Sequence, residues 1–169
     1  MGTDPRIDRV MPVLGRAVAR MEIPAVEKIS EDSKNDAFQV LVSTMLSAQT
    51  KDAVTHAASM RLFAVAKTPA AIAALTIPRI EKLIYPVSFY RNKAVHLKAA
   101  CRKLLAEFGG RVPKAMASLL TLPGVGRKTA NLVLLVAHQS PDNICVDTHV
   151  HRICNRLGWV KTRTPEQTE

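Results

Sequence analysis

The sequence predicts an all-α fold, and three observations carry that expectation. Apolar residues recur at helical spacing almost throughout, as in Phe38, Leu41, Val42, Met45 and Leu46. The alternation of β-branched and polar residues that marks strands is scarce. Helix start and stop signals punctuate the chain, among them Thr68-Pro69, Gly109-Gly110 and Thr164-Pro165.

Taken in order, a first amphipathic helix runs from about Ile7 to Met21, and the charged stretch Glu27 to Asp36 separates it from the rest. A second begins at Phe38. Thr50 is placed to cap a third that runs to about Ala66, and Thr68-Pro69 starts a short one. Another helix passes through Ile80 to Ile84. Ser88 can cap the next, whose core face is Ala94, Leu97, Cys101, Leu104 and Leu105, and Gly109-Gly110 ends it. Pro113 starts a helix over Lys114 to Leu120. After the turn Leu122 to Gly126, a helix over Lys128 to His138 carries Ala130, Val133, Leu134 and Ala137 on one face. Ile144-Cys145-Val146 then delivers Asp147 to a helix with Val150, Ile153, Cys154 and Leu157 on its apolar side. Thr164-Pro165-Glu166-Gln167 is one more capped start with two residues after it, which predicts a chain that continues beyond this point.

The 169 residues suffice for one sizeable core or for two small lobes sharing a few helices. Lys and Arg number 24 against 14 acidic residues, a formal charge of +10 that favours a polyanionic partner. No apolar run approaches the roughly 18 residues needed to span a bilayer, and no basic segment followed by an apolar secretory core opens the chain. Arg6 stands where a myristoylation signal after Gly2 would want Ser or Thr. These features predict an intracellular protein without a membrane role.

The three cysteines, Cys101, Cys145 and Cys154, are odd in number and widely spaced, which suits reduced thiols. Cys145, His149, His151 and Cys154 lie close in sequence. On a helix beginning near Thr148 the two histidines point to different sides, so no metal site is expected there. Cys154 reads instead as a small buried hydrophobe.

The chemistry concentrates at Leu122-Pro123-Gly124-Val125-Gly126-Arg127-Lys128-Thr129-Ala130. Two glycines flank one apolar residue, so the backbone can turn tightly and approach a ligand without a Cβ in the way. The N-terminus of the helix that follows favours an anion, and a phosphate is the natural occupant. Lys128 sits in that helix's first turn, where the dipole disfavours a cation and so favours the neutral, nucleophilic amine. Covalent imine chemistry and plain phosphate binding both suit it. Asp147 has two readings as well: a helix N-cap, or a carboxylate that stabilises a cationic transition state or acts as a base.

Together, Leu122 to Asn131, Val146 to Ile153 (Val-Asp-Thr-His-Val-His-Arg-Ile) and Leu46-Ser-Ala-Gln-Thr50 resemble the helix-hairpin-helix DNA glycosylases of the endonuclease III type. The resemblance runs from about residue 35 to the end. The form at Asp147 looks more like the archaeal and eukaryotic branch than the common bacterial one. The family implies two helical lobes with a DNA cleft between them. Residues 1–34 would supply a helix of the second lobe, residues 35–146 the central lobe with its helix-hairpin-helix at 113–138, and residues 147–169 the return to a second lobe left incomplete. It also implies base-excision repair: a bifunctional DNA glycosylase and abasic-site lyase that removes oxidised pyrimidines from duplex DNA.

Residue by residue, Lys128 takes the family's nucleophile position and Asp147 its carboxylate position. Gln49 matches the residue that fills the space left by an extruded nucleotide, and Phe89 stands where an apolar wedge opens the opposite strand. Leu122, Gly124, Val125, Gly126, Arg127, Thr129 and His149 complete the implied DNA contacts. The family's iron–sulfur loop has four cysteines, whose spacing the three here do not fit, so no cofactor is expected within this chain and a [4Fe–4S] cluster is expected in a continuation. A monomer is expected. The competing readings are a helix-hairpin-helix module without catalysis and a monofunctional mismatch glycosylase. The pairing of Lys128 with Asp147 argues against the first, and a lysine at position 128 against the second.

Overall fold

The computed structural model describes residues 4–169; residues 1–3, including Gly2 of the myristoylation reading, lie outside it. Every regular element among the described residues is a helix, as the periodicity predicts. The chain divides into two compact units, residues 24–145 and residues 1–23 with 146–169.

The larger unit is built around α3 (Ala37–Ser47), which packs against α2 (Ala25–Asp32), α4 (Asp52–Val65), α7 (Tyr90–Phe108) and α9 (Arg127–Val136). Enclosed on so many sides, α3 buries every residue from Val40 to Leu46, not only the stripe that its spacing predicts. Asp36 starts it by accepting a hydrogen bond from the Gln39 N–H at 2.8 Å. Two short helices, α5 (Pro69–Ala74) and α6 (Ile77–Ile84), close the other side of α7. Thr68 caps α5 as expected, accepting from the Ala71 N–H at 3.2 Å. Gly109 ends α7 in the left-handed region at φ 58°, and the Gly110 N–H reaches back to the Leu104 carbonyl at 2.8 Å.

Several local expectations are corrected. The charged stretch 27–36 is not a separator but mostly α2, whose Val26 and Ile29 are buried in the larger unit. The boundary between units therefore falls after Ile23 rather than after residue 34. Thr50 does not cap α4, where Lys51 holds the N-cap position without a side-chain bond. Ser88 does not cap α7, because the N-cap position belongs to Phe89. The helix after Pro113 is shorter than expected: α8 covers Met116–Leu119. Leu105 is exposed, one position round from the buried face of α7.

Arg61, Lys93 and Lys98 each close the C-terminal end of a neighbouring helix. Arg61 Nε donates to the Leu83 carbonyl at 3.0 Å and its Nη2 to that of Tyr85, at the end of α6. Lys98 Nζ donates to the Leu75 carbonyl, at the end of α5. Lys93 Nζ donates to the Leu46 and Ala48 carbonyls, at 2.8 and 2.6 Å, at the end of α3. Such ends carry carbonyls without intrahelical partners and a partial negative charge, and both favour a cation.

The smaller unit holds α1 (Ile7–Val18), α10 (Thr148–Arg156) and α11 (Pro165–Thr168). The first helix stops short of the expected Met21. Neither α1 nor α10 buries a residue, and Cys154 is half-buried rather than buried. Polar bonds tie α10 to α11 and to the loop before it: Asn155 Nδ2 donates to Thr162 Oγ1 at 3.1 Å, and His151 Nδ1 lies 2.6 Å from Thr168 Oγ1. Thr164 caps α11 as its sequence predicts. No helix among the described residues is long and apolar enough to cross a membrane.

Candidate functional site

The segment from Leu122 to Gly126 is a tight turn between α8 and α9, closed by the Val125 N–H on the Leu122 carbonyl at 3.1 Å. Leu122 and Val125 point into the core and anchor it. Gly124 is required twice over. Its φ of +78° lies in the left-handed region, and a Cβ there would stand 2.8 Å from His96 Cβ and 3.1 Å from Met45 Cε. The turn is thus pressed onto α7 and α3. Gly126 differs: it holds the N-cap position of α9 in an extended conformation, and a Cβ there would meet nothing within 4 Å. The fold itself does not demand glycine at 126, whose bare backbone faces open space.

α9 carries Arg127, Lys128 and Thr129 in its first turn, while Ala130, Val133 and Leu134 on the opposite side fix the helix in the core. Ala137 is half-buried beside them. Arg127 and Lys128 are exposed. Because α9 packs on α3, Lys128 and Thr129 face the end of that helix. They share with Thr44, Ser47, Ala48, Gln49 and Leu132 a cleft of about 140 Å³. Gln49 and Lys128, far apart in the sequence, are therefore neighbours on one surface. The segment after α9 returns beside the same turn, where Cys145 Sγ lies 3.8 Å from the Lys128 carbonyl. Asn143 fastens that segment, donating to Asn131 Oδ1 at 3.0 Å and accepting from Ser140 at 2.7 Å.

Gln49 and Phe89 share a backbone feature. Both are exposed non-glycine residues in the left-handed region, at φ 55° and 56°. Such a conformation is strained for residues with a Cβ and persists where surrounding bonds enforce it. Phe89 lines a shallow depression with Tyr90, Arg91 and Asn92, apart from the Lys128 cleft.

Asp147 realises its capping reading: its Oδ1 accepts from the His149 and Val150 N–H groups, both at 2.9 Å, and starts α10. His149 is exposed, with its Nδ1 3.5 Å from Arg152 Nη2. These residues belong to the smaller unit.

Sequence reasoning missed the cluster around Lys93. Besides its two carbonyls, Lys93 Nζ reaches Thr50 Oγ1 at 3.2 Å, and Thr50 Oγ1 also accepts from the Ser88 N–H at 3.2 Å. Partial burial pulls the Lys93 pKa down from its ordinary value to about 8. A lysine one residue before the apolar face of α7 gives no local hint of these partners.

The cysteines do not fit an iron–sulfur cluster. Cys101 is buried in the core of the larger unit, and burial pushes its thiol up to about 12, against the thiolate that a cluster requires. That leaves Cys145 and Cys154, fewer than the four thiolates a cluster takes.

The family described as "HhH-GPD superfamily base excision DNA repair protein" matches residues 42–169. An endonuclease III of Thermotoga maritima is 52% identical over 136 residues, which are 80% of this chain and 63% of that protein. This chain thus spans less than two-thirds of that relative's length. A solved non-covalent endonuclease III–DNA complex superposes with a TM-score of 0.84 at 32% identity, covering 100% of this chain and 76% of the other. A trapped endonuclease III–DNA covalent intermediate gives 0.79 at 32%, covering 98% and 74%.

Proposed function

The chain belongs to the HhH-GPD superfamily of base excision DNA repair proteins, and from that premise we propose that it excises oxidised pyrimidines from duplex DNA and cleaves the strand at the resulting abasic site. The observation that carries this reading is the cleft that Lys128 shares with Gln49 at the start of α9. A nucleophile that attacks a sugar must meet a nucleotide drawn out of the stack, and a residue must fill the space left behind. Lys128 is the nucleophile and Gln49 the filler. Phe89 wedges the opposite strand. The Gly124–Gly126 turn and the first turn of α9 hold the strand's phosphates, with Arg127 and Thr129 beside them.

In the proposed reaction Lys128 Nζ attacks the deoxyribose C1′ with loss of a proton, and the C1′–N bond breaks with its electron pair leaving on the base, which takes up a proton. Ring opening gives an imine between Lys128 Nζ and C1′. Loss of a C2′ proton then drives cleavage of the C3′–O bond, releasing the 3′ phosphate, and water hydrolyses the imine to free the lysine. Asp147 takes the family's carboxylate position. There it assists deprotonation of the amine or stabilises the oxocarbenium-like sugar, while its cap keeps α10 in register. His149, two residues on in the same motif, contacts the DNA. No step passes through a metal or cluster. The protein acts as a monomer, inside the cell where duplex DNA is found.

Borohydride reduction in the presence of abasic-site DNA tests this reading. A covalent adduct is expected, and Lys128→Gln should abolish it. No adduct, or one that survives the substitution, overturns the lyase. Asp147→Asn retains a capping side chain and should slow base release while duplex binding persists; lost binding would reduce Asp147 to its cap.

A further inference from the structure

Gln49 and Phe89 lie on different loops, and both are held in backbone conformations that their side chains disfavour. One residue touches both loops. The Lys93 side chain binds the carbonyls of Leu46 and Ala48 and the hydroxyl of Thr50, on either side of Gln49. Its backbone N–H makes the first i→i−4 bond of α7, to the carbonyl of Phe89 at 3.0 Å, so the side chain that grips the Gln49 loop stands one turn from Phe89 on the same helix. Thr50 completes the link, because its hydroxyl donates to the Ala48 carbonyl at 3.2 Å and accepts from the N–H of Ser88, the neighbour of Phe89.

We propose that Lys93 is a positioning residue that couples the Gln49 loop to the Phe89 loop, so that the two side chains enter a duplex together. This rests on the reading of Gln49 and Phe89 as the residues that enter the DNA.

Three features of Lys93 separate it from an ordinary surface lysine. Its ammonium is half-buried and faces three oxygens, none of them a carboxylate. Burial lowers its pKa to about 8, because the loss of solvation disfavours the cation. It also supplies bonds to the residues flanking Gln49, the kind of constraint that keeps a left-handed non-glycine residue in place. A guanidinium is planar and presents its donors in a fork, whereas an ammonium points three donors at a compact set of oxygens. Arginine is therefore a poor replacement at position 93.

The role separates experimentally from catalysis and from folding, because an abasic site in single-stranded DNA has no opposite strand to open. The proposal predicts that Lys93→Met lowers strand cleavage of abasic duplex by about tenfold or more, a loss expected when reacting groups are misplaced. Cleavage of the single-stranded oligonucleotide should change by less than about twofold. Thr50→Val, which removes the shared hydroxyl with little change of shape, should shift the duplex-to-single-strand ratio in the same direction by about threefold. A 2-aminopurine placed opposite the abasic site should brighten on binding of the unaltered protein and less so with either variant. Parallel losses on both substrates, or an unchanged ratio in both variants, would overturn the positioning role and leave the lyase standing. An unaltered protein that cleaves neither substrate overturns the functional reading, and the Lys93 proposal with it.

Discussion

The two compact units use the same amphipathic helices in opposite ways. In residues 24–145, α3 and α7 bury their apolar faces, and α3 is enclosed almost all round. In the other unit α1 leaves Met11, Val13, Leu14 and Val18 about half exposed, and α10 leaves Ile153 so. Among the described residues, Val146 is the one buried hydrophobic residue outside 24–145. Periodicity therefore reports that a face is apolar and says nothing of what covers it. The smaller unit is organised instead by caps and by the polar bonds among His151, Asn155, Thr162 and Thr168. Lys128 accordingly rises from a packed helix, and Asp147 from one that depends on the bonds at its own first turn.

That contrast can be broken by measurement. The largest effect should come from Leu41→Ala in the core of the larger unit, with a loss of about 2–5 kcal/mol in denaturant unfolding. Were α1 packed in the same way, Val18→Ala would approach that figure; its expected change is within about 0.5 kcal/mol. Gly124→Ala comes next, at about 1–3 kcal/mol, since it combines a strained φ with a clash on α7. Gly126→Ala, facing open space, should cost no more than about 0.5 kcal/mol, the disadvantage of alanine at an N-cap, and weaken DNA binding instead, so equal destabilisation at both glycines would erase the distinction between them. Asp147→Ala should cost about 1 kcal/mol by removing the α10 cap, and Asp147→Asn should restore most of it. If Asn fails to restore stability, the carboxylate charge matters to α10 beyond its hydrogen bonds.

The legible features of the fold were those written within a few residues. Thr68, Gly109, Asp147 and Thr164 each meet a partner within one or two helical turns, and each was found where the sequence put it. Thr50 and Ser88 look like caps in the sequence, but their actual bond joins loops 38 positions apart. The α2 helix is masked in the sequence because Glu27, Lys28, Glu31 and Asp32 face solvent and their charges obscure Val26 and Ile29, which recur at helical spacing on the other side. At the candidate site, the first-turn position of Lys128 was local and legible. That Gln49 stands beside it follows only from α9 packing on α3, and motif resemblance supplied the role that geometry alone does not spell out.

The cations that close the ends of α3, α5 and α6 bear on how affinity for a polyanion should respond to ionic strength. Each phosphate neutralised by a lysine or arginine releases counterions from DNA, steepening the dependence of binding on salt by about 0.9 in logarithmic slope. Arg61, Lys93 and Lys98 already face carbonyl dipoles of their own protein, so they add to the formal charge of +10 without counting among the ions exchanged. The salt slope will accordingly register a smaller positive surface than composition suggests, and neutralising Arg61 or Lys98 should leave it unaltered.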